Sequence, residues 1–348
     1  MLGLDSLKIT PDILRRISTI DEFKGAWMAL GRLAPERLSS LRRVATIESV
    51  GSSTRIEGVK LTNAQIEGLL RGLQMHSFRS RDEQEVAGYA EAMELIFHSW
   101  AEIGLTENHI KQLHGILLKY SDRDQRHRGQ YKSIPNHVEA FDQEGRSIGV
   151  IFETATPFDT PRMMFDLISD ANALLSDNSH HPLLIIAAFI VRFLAIHPFQ
   201  DGNGRLSRAL TTLLLLRSGY GYVPYSSLER VIEDNKDAYY MALRTAQVTI
   251  DRGEDGLPAW IEFFLTALIR QKQILESKLQ AEQRLMALPE LSVQILEIAR
   301  NHGRVTLTDA CSMTGANRNT IKHHIKALVQ QGLLSINGKA RGTWYEPR

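Results

Sequence analysis

Between two apolar stretches of the chain lies His197-Pro198-Phe199-Gln200-Asp201-Gly202-Asn203-Gly204-Arg205-Leu206-Ser207-Arg208, whose residue types can handle phosphates. Gly202 and Gly204 free the backbone to fold tightly with N–H groups turned inward. A helix starting at 203–205 would aim its own unpaired amides at the same point. Arg205 falls in the first turn of that helix and Arg208 three residues on, so both side chains project along one side. Asp201 supplies the hard oxygen donor that Mg²⁺ favours when it bridges phosphates. His197 stands at the mouth of the loop, and its near-neutral pKa suits it to take a proton from a hydroxyl nucleophile. Each feature alone reads as an ordinary loop. Together they make a site for phosphoryl or nucleotidyl transfer.

Helical periodicity dominates the elements that must hold this loop. Residues 183–196 form the strongest apolar helix, which Pro198 ends, and helix resumes at 206–216 before the turn Gly219-Tyr220-Gly221. Upstream, residues 11–100 read as several amphipathic helices. Ile13, Leu14, Ile17 and Ile20 share one face, and Thr62 caps the helix carrying Ile66, Leu69 and Leu70. Thr106 caps a second block holding Ile110, Leu113, Ile116 and Leu117. Residues 131–138 and 148–152 read as two short strands around the turn Asp142-Gln143-Glu144-Gly145. Helix returns at 163–175, His180-His181-Pro182 marks a loop before the core helix, and helices continue to about 283.

The 348 residues are 43% hydrophobic and 23% charged, proportions of a soluble globular protein with length for two or three domains. Forty-one Lys+Arg against 40 Asp+Glu leave +1, which excludes a polybasic nucleic-acid coat as a description of the whole chain. Cys311 is the single cysteine. It allows neither an intramolecular disulfide framework nor a cysteine-rich zinc site, and cytoplasmic localisation is expected. The N-terminus lacks the apolar core of a secretory signal, and residues 183–196, interrupted by Arg192, are too short to cross a bilayer, so no membrane partner is expected.

Residues 197–208 resemble, position for position, the signature of the Fic (filamentation induced by cAMP) family, His-Pro-Phe-x-Asp/Glu-Gly-Asn-Gly-Arg-x-x-Arg. The resemblance extends to residues 105–129 with His114, to Gly129-Gln130-Tyr131, and to residues 235–243 with Tyr239-Tyr240, covering roughly 40–270. It implies a mainly α fold, a Fic-type helical bundle with a β-hairpin flap. It also implies transfer of AMP from ATP to a Ser, Thr or Tyr hydroxyl of a protein target. Carried over, His197 is the general base and Asp201 the Mg²⁺ ligand. Gly202, Asn203 and Gly204 form the anion hole, Arg205 grips the α/β phosphates and Arg208 the γ-phosphate, with Leu206 and Ser207 between them in the ATP-binding loop. Tyr240, Leu243 and Gln247 would line the adenine pocket. The 132–153 hairpin would hold the target by strand-type pairing, through Lys132, Ser133 and Ile134. Lys132 departs from the Arg that many relatives carry there. A monomer and a homodimer are both compatible with the sequence.

Ser53-Thr54-Arg55-Ile56-Glu57-Gly58 resembles the family's inhibitory motif, [Ser/Thr]-x-x-x-Glu-[Gly/Asn], placed before the core on a helix at about 40–58. At i,i+4 Ser53 would orient Glu57, whose carboxylate would pair bidentately with Arg208 and keep it from the γ-phosphate. Gly58 suits the helix end. The expected function is a self-inhibited protein adenylyltransferase. The alternatives are a Glu57-dependent hydrolase that removes AMP at the same site, or a DNA-binding regulator with a nucleotide-sensing core.

From residue 284 onward there are nine Lys/Arg against four Asp/Glu, a local +5 that leaves −4 for the rest. Helices at 291–301, 309–313 (capped by Thr308) and 318–331, then short runs at 333–336 and 343–345, follow the order of a winged helix-turn-helix. Arg318, Asn319, Lys322, His323 and Lys326, beside Asn317, would face DNA from the recognition helix, with Lys339 and Arg341 on the wing. Winged helices also dock proteins, so both uses stay open. Cys311 reads as a small core residue. The expected organisation is a helical region at 1–100, a catalytic core at 101–283 and a winged helix at 284–348.

Overall fold

The computed structural model describes residues 2–29, 35–72, 78, 80–141, 147–252, 256–286, 288–339 and 342–348. The turn expected at 142–145 and Arg341 lie outside these residues. The chain divides into two compact units, Met1–Leu275 and Glu276–Arg348.

In the first unit, α1 (Pro11–Ala29), α2 (Pro35–Ile56), α3 (Asn63–Arg71), α4 (Arg81–Ser99) and α5 (Glu107–Leu117) precede a hairpin. The hairpin strands, β1 (His137–Phe141) and β2 (Ser147–Glu153), pair antiparallel with His137 opposite Glu153. Then come α6 (Thr160–Asp177), α7 (Pro182–Ile196), α8 (Asn203–Arg217), α9 (Leu228–Asp234), α10 (Lys236–Arg252) and α11 (Leu257–Met286), whose residues beyond Leu275 belong to the second unit. Thr62 and Thr106 cap α3 and α5 with their side chains, Thr62 in a reciprocal box with Gln65. The first expected strand begins only at His137, because residues 131–136 bond to the loop after α7 instead of to a partner strand.

α7 is apolar around almost its whole circumference, so it must be buried, whereas α8 is buried together with polar and charged residues, Asn203, Arg205, Ser207, Arg208, Thr211 and Thr212. From Leu183 to Ile196 only Arg192 and Ala195 escape full burial. α7 packs on α8 and is flanked by α6 and α10, while α2, α4 and α5 contact α8. α2 reaches the core with small polar residues, since Ser49, Ser52, Ser53 and Thr54 are all buried. Their size allows close approach, and Lys236 Nζ binds the Ile56 carbonyl at 2.8 Å where α2 ends. The loop at 197–202 therefore sits between the two most buried helices.

The second unit holds α12 (Glu290–His302), α13 (Leu307–Thr314) and α14 (Arg318–Gln330). An antiparallel pair follows, β3 (Leu334–Asn337) and β4 (Trp344–Pro347), and Val305 bridges to Tyr345. Ile295, Leu296, Ala299, Ile321, Ile325 and Leu328 centre its core, with Cys311 packed at the margin. The cap of α13 is Thr306, not Thr308: its side chain accepts from Asp309 N–H and Asp309 returns a bond, a box that starts the helix at Leu307.

Candidate active site

α7 ends in a turn with little freedom. His197 adopts a left-handed φ of 52°, uncommon for a residue with a Cβ, and its N–H bonds Phe193 O at 2.9 Å. The following residues are fixed from several sides. Asn203 accepts from Phe199 N–H (3.0 Å) and donates to Phe199 O (2.7 Å), while Asn136 Nδ2 donates to the same carbonyl at 2.8 Å. His114 stacks on Phe199 with ring centroids 3.8 Å apart. Its Nδ1 accepts Gly129 N–H at 2.9 Å, which leaves the hydrogen on Nε2 to donate to Asp201 O at 3.0 Å. Burial pushes His114 down to about 4, the Asp201 carbonyl opposing, so the ring is neutral near pH 7. Gly202 turns at φ 80°, where a Cβ would press on Leu117 at 3.0 Å; a Cβ on Gly204 would run into the Glu57 carboxylate.

His197 approaches Leu194 O with Nδ1 (3.3 Å), which places the proton there and leaves Nε2 as the basic nitrogen. Burial pushes its pKa down to about 4, and the Lys132 charge adds to this. The Leu194 carbonyl, Glu57 and Asp201 oppose. Asp201 stays 40% exposed, with Arg205 at 3.2 Å and Arg81 at 3.6 Å. Arg205 is buried and held by Glu85 at 2.8 Å, which also binds Arg81 at 2.6 Å. Arg205 Nε is buried without a partner among the described residues, a donor still to be satisfied.

Glu57 lies just past the end of α2 and meets Arg208 through one bond, Nη2 to Oε1 at 2.7 Å. The expected bidentate pair is not formed, because Arg208 Nε is taken by Ser53. Arg208 Nε donates to Ser53 Oγ at 2.8 Å, and Nη2 also donates to Ser53 O at 2.9 Å. Ser53 thus orients Arg208 rather than Glu57. Behind it, the buried Tyr89 hydroxyl neighbours Ser53 and donates to Glu229 at 3.1 Å. Burial raises the Glu57 pKa, but the charge and hydrogen bond of Arg208, with Arg205 and His197, outweigh it and hold the carboxylate below its ordinary value. Gly58, at φ 103°, releases the chain from the helix.

The loop thus brings together His197, Asp201, Gly202, Gly204, Arg205 and Arg208, with Ser53 and Glu57 against Arg208. Other expected residues serve differently. Asn203 spends its side chain on the Phe199 backbone, Leu206 is fully buried in the core, and Ser207 bonds back to Gly204 O at 2.8 Å. All three side chains are engaged or buried within the protein. Leu243 and Gln247 are buried on α10, while Tyr240 is part-exposed beside Tyr239. Ser133 and Ile134 are exposed, Ile134 by 64%. Lys132 is 3% exposed, so a target contact through its side chain does not hold. Glu85, Arg81, Tyr89 and Glu229 carry no signal in the sequence, and Tyr239, marked there only as part of the 235–243 segment, reaches Arg208 and Ser207 with its hydroxyl. They come from other helices and form no local pattern.

A helix N-terminus flanked by two buried arginines, at the end of a loop between two buried helices, has the chemistry of an anion site. Residues 104–215 match the Fic/DOC family. The chain is similar to "Protein adenylyltransferase Fic" of Drosophila mojavensis, 30% identical over 208 residues, 59% of this chain and 38% of the relative. The chain therefore spans about two fifths of the length of the curated relatives it matches. A Fic family protein from Desulfovibrio desulfuricans G20 shares the fold, with a TM-score of 0.62, 23% identity and coverage of 98% and 97% of the two chains. A Fic domain containing signaling protein from Bacteroides thetaiotaomicron gives 0.61 at 26% identity, covering 74% of this chain and 95% of that one. Among the described residues, no helix is long and apolar enough to cross a membrane.

Proposed function

We propose that the protein is a self-inhibited adenylyltransferase that transfers AMP from Mg-ATP to a hydroxyl of a protein target. The observation that carries this is the convergence on the Glu57 carboxylate of Arg208, which bonds it, of Arg205 and His197, whose charges act on it, and of Gly204, which it closely approaches. His197 Nε2 takes the proton of the target Ser, Thr or Tyr hydroxyl, whose oxygen bonds to the α-phosphorus of ATP as pyrophosphate leaves. Arg205, with its unpartnered Nε, fits an α/β-phosphate oxygen, and Arg208 fits the γ-phosphate once Glu57 withdraws. Leu206 and Ser207 contribute main chain only.

No cluster of three metal-binding side chains occurs among the described residues. Mg²⁺ binds through one or two carboxylates together with substrate phosphates. Asp201, half-exposed at the mouth of the loop, would hold it, and the ion would neutralise charge on the phosphates. Tyr240, with Leu243 and Gln247 behind it, would form the base pocket, and Ser133, Ile134 and the hairpin would hold the target chain.

A second activity is favoured by Glu57 itself. Only Oε1 contacts Arg208, and the side chain is 32% exposed, so the other oxygen could orient water toward an AMP-protein ester. The Glu276–Arg348 unit we assign as a winged helix that contacts DNA. Arg318, Asn319, Lys322, His323 and Lys326 are all exposed on α14, opposite the buried Ile321, Ile325 and Leu328, whereas Asn317 is occupied in capping Thr320 N–H. Release of the brake by Glu57→Gly, followed by AMP incorporation from labelled ATP, tests the principal assignment. Absence of label on the protein and on every lysate protein counts against it.

A further inference from the structure

Given His197 as base, we propose that Lys132 is its positioning residue: the buried ammonium and main-chain N–H of Lys132 fasten the carbonyls on both sides of His197. The three ammonium hydrogens have three divergent acceptors, Ile196 O (3.0 Å), Asn136 Oδ1 (2.8 Å) and Thr154 Oγ1 (2.8 Å). Lys132 N–H donates to Pro198 O at 2.9 Å. One residue thereby grips positions 196 and 198, and Asn136 extends the clamp to Phe199 O. Thr154, just beyond β2, donates to Asn136 O at 2.5 Å and closes the base of the hairpin onto the loop.

Taking an ammonium out of water is costly unless its hydrogen bonds are replaced. Lys132 has no carboxylate partner among the described residues, and burial presses its pKa down to about 8. A site that retains a lysine on these terms uses the geometry of its bonds. A compact ammonium can donate in three directions from one point, whereas a planar guanidinium cannot. The left-handed turn at His197 is what those bonds hold. The groups that face His197 are Lys132, Glu57, Asp201 and the Leu194 carbonyl. Lys132 opposes protonation of the imidazole, while the other three favour it.

The test compares Lys132→Met and Thr154→Val in the full chain, each also combined with Glu57→Gly. Lys132→Met keeps the aliphatic stem and loses the ammonium. Thr154→Val keeps the lysine and removes one acceptor, so it decides the matter if the first variant does not fold. On the Glu57→Gly background, kcat should fall ~10–100-fold in Lys132→Met, the cost of a misplaced catalytic group, with KM for Mg-ATP within about 2-fold because the phosphate ligands are untouched. Thr154→Val should lose less, in the same direction. His197 imidazole resonances, followed against pH without ATP or target, should titrate at higher pH in Lys132→Met and move in chemical shift in Thr154→Val. This readout holds whether or not the chain transfers AMP. Unmoved His197 resonances in both variants, or a rise in KM for the target with kcat kept, would overturn the proposal.

Discussion

Ser53→Ala separates the group that holds Arg208 from the group that blocks it. The substitution removes the acceptor of Arg208 Nε at 2.8 Å, in a position with no solvent to replace it. The Ser53 carbonyl bond at 2.9 Å and the Glu57 bond at 2.7 Å remain. A hydrogen bond to a charged group contributes ~1.5–3 kcal/mol, and here a buried guanidinium N–H is left unpaired, so a loss of about 2 kcal/mol is expected. For a unit of this size that lowers Tm by ~4–8 °C, measurable by calorimetry. Glu57 still engages Arg208, so AMP incorporation should stay near the low wild-type level. On the Glu57→Gly background the same change should raise KM for Mg-ATP ~10-fold, or 1.4 kcal/mol, because the γ-phosphate clamp loses its orientation. An unchanged Tm refutes the structural part of this reasoning. Labelling by Ser53→Ala as fast as by Glu57→Gly refutes the rest, since Ser53 would then act through Glu57.

Two further outcomes are open to direct measurement. His114 is held near 4 in the folded state against its ordinary 6.5, so the unfolded chain binds more protons between those values. Its contribution to stability is complete above pH 6.5 and is lost as pH falls toward 4, a change of ~3 kcal/mol; urea midpoints at pH 7 and pH 5 should differ less in His114→Asn than in wild type, and equal differences would refute the assignment. In the second unit, Lys322→Ala and Lys326→Ala should each reduce the salt slope of duplex DNA binding by about 1. No binding at low salt would leave the unit as a protein-docking module.

Local chemistry explains what the sequence made legible. The 197–208 loop is contiguous, and glycines and arginines at fixed spacing carry their meaning without tertiary context, as did the caps Thr62 and Thr106. The apolar run at 183–196 could only be a buried helix, and it is one. Where spacing alone was used to assign a contact, it went astray. Ser53 and Glu57 are four residues apart, but α2 ends at Ile56, and Arg208, 155 positions from Ser53, takes the serine. The resemblance implies a flap role for Lys132, yet its three acceptors, at 136, 154 and 196, are visible only once the chain has folded. Glu85, Tyr89 and Glu229 likewise gain their places from helix packing, with no local pattern to mark them.

Restraint of an adenylyltransferase core by Glu57 is tested by intact-mass analysis of the Glu57→Gly protein incubated with Mg²⁺ and each of the four nucleoside triphosphates, alone and with lysate. The prediction is an AMP adduct from ATP, on the protein itself or a target, weak in wild type and absent in Glu57→Gly/His197→Ala. No adduct with any nucleotide, or an adduct that survives His197→Ala, would contradict it.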